Sequence, residues 1–440
     1  MPTTHQRNPS EIWLHGAEAG PFPLSWGQGT MWESINALGP RSRRLNIVGG
    51  FSVGRPVGVS DALFRIERCL NRFDVFRLAF DERTGTAFFR GEVRIPVRWG
   101  IDSGTPGDAA AQSSELYALP FDLQEPPIRL ELIHRGAVVT QVGIVMSHLA
   151  FDGAAYRLLV RHLRDAVEGR EPSPTCIQNE ALIKHEQSAT GVRRSDAVIG
   201  HWVESATRLP PGCGLLNTTA GAYSVTEIRS RAMAIATQAL AVFHNTSTAS
   251  VLTAALTTMI RRHIDRKFSA MLSVCNNRML PQLGGHVGQT IGNGLILLPR
   301  ERPDAEFSMF VKDVNIRAFR AYARARYDSV KWRDVLSGLS ERGSATDLSH
   351  YFNDVRRERG SWSGLEQQID DLRKGTREGT SLTVVDRRDM SDATFFANLH
   401  DAGRDCLITL VCDDDRTPPA DAALLLKDLE AFLVEQALAC

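Results

Sequence analysis

The chain has 440 residues, with 51 Lys and Arg against 51 Asp and Glu and 43% hydrophobic residues, which describes an ordinary globular protein long enough for two cores. A formal net charge of zero excludes a global field for nucleic acid or an anionic membrane, so partners are to be sought locally. The opening residues have no basic stretch followed by an apolar run, and no segment of about 18 successive apolar residues occurs, which predicts a cytoplasmic protein. The seven cysteines, Cys69, Cys176, Cys213, Cys275, Cys406, Cys412 and Cys440, are scattered without CxxC or Cys/His ligand spacing. They predict reduced thiols and no metal site.

In chain order, an amphipathic helix is predicted over 31–38, then a Gly-rich strand in LNIVGGFSVGRPVGVS. A second helix over 61–73 places Ala62, Ile66, Leu70 and Phe73 on one face, with Ser60 or Asp61 as its cap. Strands are predicted at 76–80, 87–89 and 93–99, and PFDLQEPPIRLELIHRG reads as a loop, a Pro-Pro turn and a strand. The β-branched run 138–146 is a buried strand, and 153–169 is a helix with Ala155, Leu159, Leu163 and Val167 at helical spacing and Gly169 as its stop. The polar stretch 176–198 is the predicted linker between domains 1–175 and 199–440. Beyond it an alanine-rich helix is predicted at 248–263 and a strand at 269–275. A Gly-rich connection, NNRMLPQLGGHVGQTIGNGLILL, then leads into another strand. Arg/Ala-rich helices over 307–340 and a polar stretch to 379 follow, with strands near 381–385 and 406–411 and a closing helix over 419–437. The class is α/β, with mixed sheets and flanking helices, and no repeat at solenoid period is present. Arg317, Arg320 and Arg324 share one helical face, which reads as a solvated surface.

Between the strand 138–146 and the helix 153–169 lies SHLAFDG, with His148 and Asp152 on a loop held by rigid elements. The spacing His-x3-Asp carries little by itself, because His350 and Asp354 share it in SHYFNDV, where no apolar strand leads in and no Gly follows. For His148 the residues alone leave two readings open, a polar strand-end cap and a catalytic group.

Taken together, PLSWGQ with Trp32, LNI with SDALFRIERCLNRFDVFR, PFDL with Pro127 and Arg129, SHLAFDG, IGHW, NNR and VGQTIGN resemble, in order and content, the condensation domains of nonribosomal peptide synthetases, relatives of chloramphenicol acetyltransferase. The family motif is HHxxxDG, and Ser147 stands at its first position. The resemblance implies two acetyltransferase-like lobes in a V-shaped pseudo-dimer with a tunnel between them. It puts His148 at the reaction centre, as base or orienting group, and makes Asp152 a structural residue paired with an arginine, for which Arg278 is the candidate. Ser147 is expected to hydrogen-bond locally, the Gly153 N–H to serve the oxyanion, and Asn293 to contact substrate. No cofactor bound by the chain itself is implied. The donor would be the phosphopantetheine arm of a carrier protein supplied in trans, and the acceptor a small or carrier-bound amine or alcohol. LGGHV is not a carrier site, because Val287 stands where the arm-bearing Ser would be. No adenylation or thioesterase region fits in this length, so a free-standing condensation enzyme is expected. Two alternatives stay open. One is a coenzyme-A-dependent acyltransferase of the same superfamily, although no DFGWG string occurs, and the other is a non-catalytic docking domain, toward which Ser147 leans.

Overall fold

The computed structural model describes residues 10–102, 119–170, 177–207, 219–298, 306–341, 348–356, 365–373 and 379–440. Two mixed α/β units form, one of Met1–Arg194 with Asn276–Ile291, the other of Ser195–Cys275 with Gly292–Cys440.

The first unit is built on strands β1 (Glu11–His15), β3 (Ile47–Gly58), β6 (Glu92–Ile101), β7 (Ile128–Arg135) and β8 (Val138–Met146), in sheet order β1-β6-β7-β8-β3. Only β6 and β7 pair in parallel within this sheet. A small second sheet joins β2 (Ala19–Pro23), β5 (Thr86–Phe89) and β4 (Leu78–Asp81). Helices α2 (Val59–Leu70) and α3 (Gly153–Val167) share a core with the larger sheet. Their stripes, Ala62, Ile66 and Leu70 on α2 and Ala155, Leu159, Leu163 and Val167 on α3, are fully buried. On β8 the same core takes Val142, Ile144 and Met146, and strand alternation turns Val145 to the other face. Gly49 shows why β3 is Gly-rich, since a Cβ there would fall 1.9 Å from the Tyr156 hydroxyl of α3.

Several boundaries differ from the sequence expectation. Helix α1 runs over Trp26–Leu38 and starts five residues early, on a capping box in which Ser25 and Gln28 satisfy each other's backbone N–H. Gly27 in its first turn reads as a breaker, but it is there for contact: a Cβ would lie 2.7 Å from the Gln289 carbonyl oxygen. Helix α2 begins straight from β3 with Gly58 at its N-cap and no side-chain cap, so neither Ser60 nor Asp61 caps it, and Asp61 instead places its charge in the first turn. The strand expected at 76–80 is a 3-10 turn, Asp74–Arg77, followed by β4. The stretch expected as a linker carries helices α4 (Asn179–Glu186) and α5 (Ala189–Ala206). Polar contacts fix its start where an apolar stripe is missing. Asp74 accepts from the Asn179 and Glu180 N–H groups, and Gln178 accepts from the Asp74 N–H. Gly169 follows α3 at φ +66°, the left-handed stop its position predicts.

The second unit holds a seven-stranded sheet in order β11-β10-β12-β14-β15-β9-β13. Its strands are β9 (Thr219–Ser230), β10 (Ala270–Cys275), β11 (Gly292–Leu297), β12 (His350–Asp354), β13 (Ser381–Ser391), β14 (Phe395–Ala402) and β15 (Asp405–Asp413). One large core joins this sheet to α6 (Arg231–Phe243), α7 (Thr248–His263), α8 (Phe307–Tyr322) and α11 (Pro419–Leu438). A smaller cluster gathers Trp202, Tyr327 and Trp332, the last on α9 (Ser329–Glu341). The stretch read as polar to 379 contains β12 and α10 (Leu365–Arg373). His350 and Asp354 are therefore themselves a strand, and Asp354 pairs with Arg356 at 2.6 Å. Arg317 donates to the Leu297 carbonyl and Arg324 to that of Arg320. Cys69, Cys406 and Cys412 are buried cysteines outside any disulfide among the described residues, while Cys176 and Cys213 lie outside the described residues. Among the described residues no helix is long and apolar enough to cross a membrane, and no group of His, Cys, Asp and Glu is placed to hold a metal ion.

Candidate active site

Strand β8 ends at Met146, and the chain turns at once, because the Ser147 carbonyl accepts from the N–H groups of both Ala150 and Phe151. The Ser147 N–H donates to the Pro127 carbonyl at 3.0 Å. This tight turn carries Leu149, Ala150 and Phe151 into the core and leaves His148 half-buried. Its Nδ1 stands 2.9 Å from the Phe151 carbonyl oxygen. Gln289 Nε2 lies 3.2 Å from the same nitrogen but spends its two protons on carbonyls, and a carbonyl only accepts, so in the neutral ring Nδ1 carries the proton and Nε2 the lone pair. Gln289, 1% exposed, locks the turn from the segment 276–291. Its Nε2 donates to the carbonyls of His148 at 2.6 Å and Phe151 at 3.1 Å, and its Oε1 accepts from the Ile291 N–H at 3.0 Å.

Asp152, 1% exposed, is the N-cap of α3. One carboxylate oxygen accepts from the N–H groups of Ala154 and Ala155 at 3.0 and 2.8 Å. The other takes Arg278 Nη1 at 2.6 Å and the Thr290 N–H at 3.0 Å. Burial opposes its charge, yet the Arg278 guanidinium with the Ala155 and Thr290 N–H groups prevails and holds the carboxyl below its ordinary range. Arg278 in turn donates to the Thr290 hydroxyl at 2.6 Å and to the carbonyls of Gly288 and His286 at 2.9 and 3.2 Å. The segment 276–291 is thus fastened to the motif loop by one buried ion pair and its surrounding bonds.

His286 completes that fastening. It is fully buried, its Nδ1–H donates to the Ile177 carbonyl at 2.8 Å, and its Nε2 has no partner among the described residues. Burial, with a smaller push from Arg278, lowers its pKa to about 4. Below its ordinary pKa the unfolded chain takes a proton that the native ring refuses, so stability falls with pH between about 6.5 and 4. Denaturant unfolding should show wild type losing about 2 kcal/mol more than His286→Gln between about pH 7.5 and 5. Equal losses in the two proteins would mean that the ring takes up its proton in the native state.

Of the residues expected at the site, His148, Asp152, Gly153, Arg278 and Ser147 all fall in the first unit. Gly153 opens α3, where the Asp152 carboxylate takes the next two N–H groups instead of its own. The Ser147 hydroxyl makes no local hydrogen bond to described residues; its backbone makes the turn. Asn293 lies in the second unit, on β11 opposite Val274 of β10. Gln289, Thr290 and His286 were not singled out by sequence reasoning. They sit in a Gly-rich connection with no periodicity, and the only available signal was that Gln289 and Thr290 lie inside VGQTIGN, with His286 directly before it.

Beside the turn, lined by residues of the first unit, lies a narrow cleft open to solvent with about 20 Å³ of room, roughly that of one water molecule. Ile35, Leu45, Phe80 and Phe121 line its apolar part, and Ser147 and His148 line the part next to the motif. Asp122 and Glu125 also line it. Glu125 is held by Arg129, and Arg129 also stacks on Phe121 with its guanidinium carbon 4.0 Å from the ring centroid.

No family model matches the sequence. Among curated proteins the chain is similar to bacitracin synthase 2 of Bacillus licheniformis, 20% identical over 321 residues, which covers 71% of this chain and 12% of that protein. It is also similar to CymA, a probable non-canonical nonribosomal peptide synthetase of Salinispora arenicola, 28% identical over 205 residues, or 43% of this chain and 3% of that one. The chain thus spans a small fraction of the length of these relatives. Among solved structures it resembles the one described as the basis for condensation domain-mediated chain release from the enacyloxin polyketide synthase. The TM-score is 0.71 at 18% identity, over 96% of this chain and 83% of that one. The SgcC5 protein of Streptomyces globisporus, solved with a naphthyl-ethanediol and sucrose, gives a TM-score of 0.67 at 15% identity over 95% and 98% of the two chains.

Proposed function

Because this chain belongs by fold with the condensation domains, and its curated relatives are nonribosomal peptide synthetases, we propose that it is a free-standing condensation enzyme joining a carrier-bound acyl or aminoacyl thioester to an amine or alcohol. The observation that carries this reading is His148 in the Nδ1–H tautomer, fixed by the Phe151 carbonyl at the edge of a cleft. A thioester is already activated, so the reaction needs position, a proton acceptor and a donor for the oxyanion. The acceptor's lone pair attacks the thioester carbonyl carbon while its proton passes to His148 Nε2. The carbonyl π pair becomes the oxyanion, for which the Gly153 N–H is the candidate donor. Collapse then re-forms the carbonyl and expels the thiolate of the phosphopantetheine arm, which takes the proton back from His148. Asp152 and Arg278 touch no reacting atom in this scheme and hold the loop in shape.

A second donor, acyl coenzyme A, has its own observation. Exposed Arg41, Arg43 and Arg44 sit on the 3-10 turn Gly39–Leu45, which also supplies Ser42 and Leu45 to the cleft wall. They make this flank of the cleft locally rich in arginine. Carrier recognition adds binding energy outside the reacting centre, and truncated donors lose it. The expected result is a preference of at least about tenfold in kcat/KM, roughly 1.4 kcal/mol, for an acyl carrier protein over the matching acyl coenzyme A. Equal or better use of acyl coenzyme A would move the protein to the acetyltransferase-like class.

A further inference from the structure

One amide of the segment 276–291 reaches further than fastening requires. The polar fastenings described above end on Asp152 or on Ile177, and none of them uses Gln289. The Gln289 side chain, 1% exposed, instead enters the motif turn. Its Nε2 lies 2.6 Å from the His148 carbonyl oxygen, 3.1 Å from that of Phe151 and 3.2 Å from the His148 Nδ1. The orientation of the amide is fixed, because Oε1 accepts from the Ile291 N–H at 3.0 Å and a flipped group would set oxygen against two carbonyl oxygens. Its place is fixed as well. Gly27 makes room for the Gln289 backbone carbonyl, which a Cβ would approach to 2.7 Å.

We infer that Gln289 is a positioning residue, which fixes the carbonyl that anchors the His148 ring and through it the direction of Nε2. That Nε2 serves acyl transfer rests on the reading above. The Phe151 oxygen has two lone pairs, and it takes the Nδ1–H of the ring together with one N–H of Gln289. A peptide bonded by the ring alone would tilt with it, whereas one held from both sides is a fixed post. The hold matters because a free imidazole favours the Nε2–H form, which has no lone pair on the nitrogen that is to receive the proton. The Nδ1–H form is kept by its bond to Phe151, and Gln289 keeps the acceptor of that bond in place. Its other N–H steadies the carbonyl of His148 itself. Reacting groups tolerate little displacement, about 1 Å costing roughly 10²-fold.

The ring nitrogens of His148 report this without any ligand. Their NMR shifts are read in the full chain carrying isotope-labelled histidine, at a pH well above the ordinary histidine pKa, and are assigned by their loss in His148→Ala. Wild type should show the Nδ1–H pattern. Gln289→Met, of equal length but without a donor, should move both nitrogens toward the free-imidazole pattern, and Gln289→Asn, an amide one methylene short, should fall between. Where wild type transfers acyl groups from a carrier protein, Gln289→Met should lower kcat about tenfold or more and leave KM within about threefold, since Gln289 does not line the cleft. A merely structural role would lower the melting temperature and leave the ring shifts of the folded protein as in wild type, and that result overturns the inference. So does a wild-type ring in the Nε2–H form. Should Gln289→Met fail to fold, wild-type ring shifts in Gln289→Asn overturn it equally. A ring held through Gln289 in a chain that transfers no acyl group would instead sink the acyl-transfer reading and leave the hold on the ring standing.

Discussion

His148→Ala is expected to fold and melt as wild type and to transfer acyl groups about 10²-fold more slowly, or worse. The expectation of intact folding comes from the way the turn is held. Ser147 and Pro127 bond through backbone, and Gln289 grips the carbonyls of residues 148 and 151, its Nε2 lying 3.2 Å from the His148 Nδ1 as well. The imidazole bonds the Phe151 carbonyl through Nδ1, and Gln289 continues to satisfy that carbonyl once the ring is gone. The expected loss in rate follows from the tautomer. With Nδ1 committed to a carbonyl, Nε2 is the nitrogen that can receive a proton from the attacking group, and alanine has nothing to replace it. His148→Asn is the informative companion, since an amide can orient an acceptor by hydrogen bonding but does not take up its proton. Partial rescue by asparagine would make His148 an orienting group, and none would make it a base. Turnover unchanged in His148→Ala, with matched donor and acceptor, would remove the enzyme reading and promote the docking one.

The larger effect on stability belongs to Asp152. Its removal leaves Arg278, 8% exposed on its side chain, without the carboxylate at 2.6 Å. It also strips the cap from the Ala154 and Ala155 N–H groups and the acceptor from Thr290. Stranding one partner of a buried pair costs about 3 to 5 kcal/mol, and the lost cap adds about 1. Asp152→Ala should therefore melt on the order of 10 °C below wild type and be poorly soluble. Because both ions are buried, replacing them together is the gentler change: Asp152→Ala with Arg278→Met should recover a good part of the loss, a coupling that a double-mutant cycle measures. Additive losses would mean that the two residues act separately. A variant that melts like wild type yet is inactive would give Asp152 a direct chemical role.

What could be read from the sequence was whatever burial imprints as a period. The strand 138–146 and the helix after Gly153 are legible because Ala155, Leu159, Leu163 and Val167 all face one core. The His148 and Asp152 loop is legible because it sits between them. The early start of α1 left only Ser25 and Gln28 as signs, and Gly27 concealed it, because its reason is a backbone 262 residues further along the chain, at Gln289. Helix α4 escaped because its start is fixed by Asp74 and Gln178, polar residues that carry no period. Strand β13 was read only in its apolar half. It is an exposed edge whose remaining residues, DRRDMS, are mostly charged, as edges that resist further pairing commonly are. At the site, Arg278 was named from the resemblance. Gln289, Thr290 and His286 came to light only with the coordinates, because polar networks are specified by geometry in three dimensions and not by spacing along the chain.

The assignment of Asn276–Ile291 to the first unit has a temporal consequence. Asp152 and its arginine are 126 residues apart, and everything between must leave the ribosome before the two can meet. At roughly 5 to 20 residues per second, that wait is on the order of ten seconds. Throughout it the nascent first unit carries an uncompensated carboxylate at the head of α3 and a motif turn that Gln289 has not yet gripped. The motif loop is therefore among the last parts of its own unit to be completed, and a fragment ending at Arg194 reproduces that waiting state permanently.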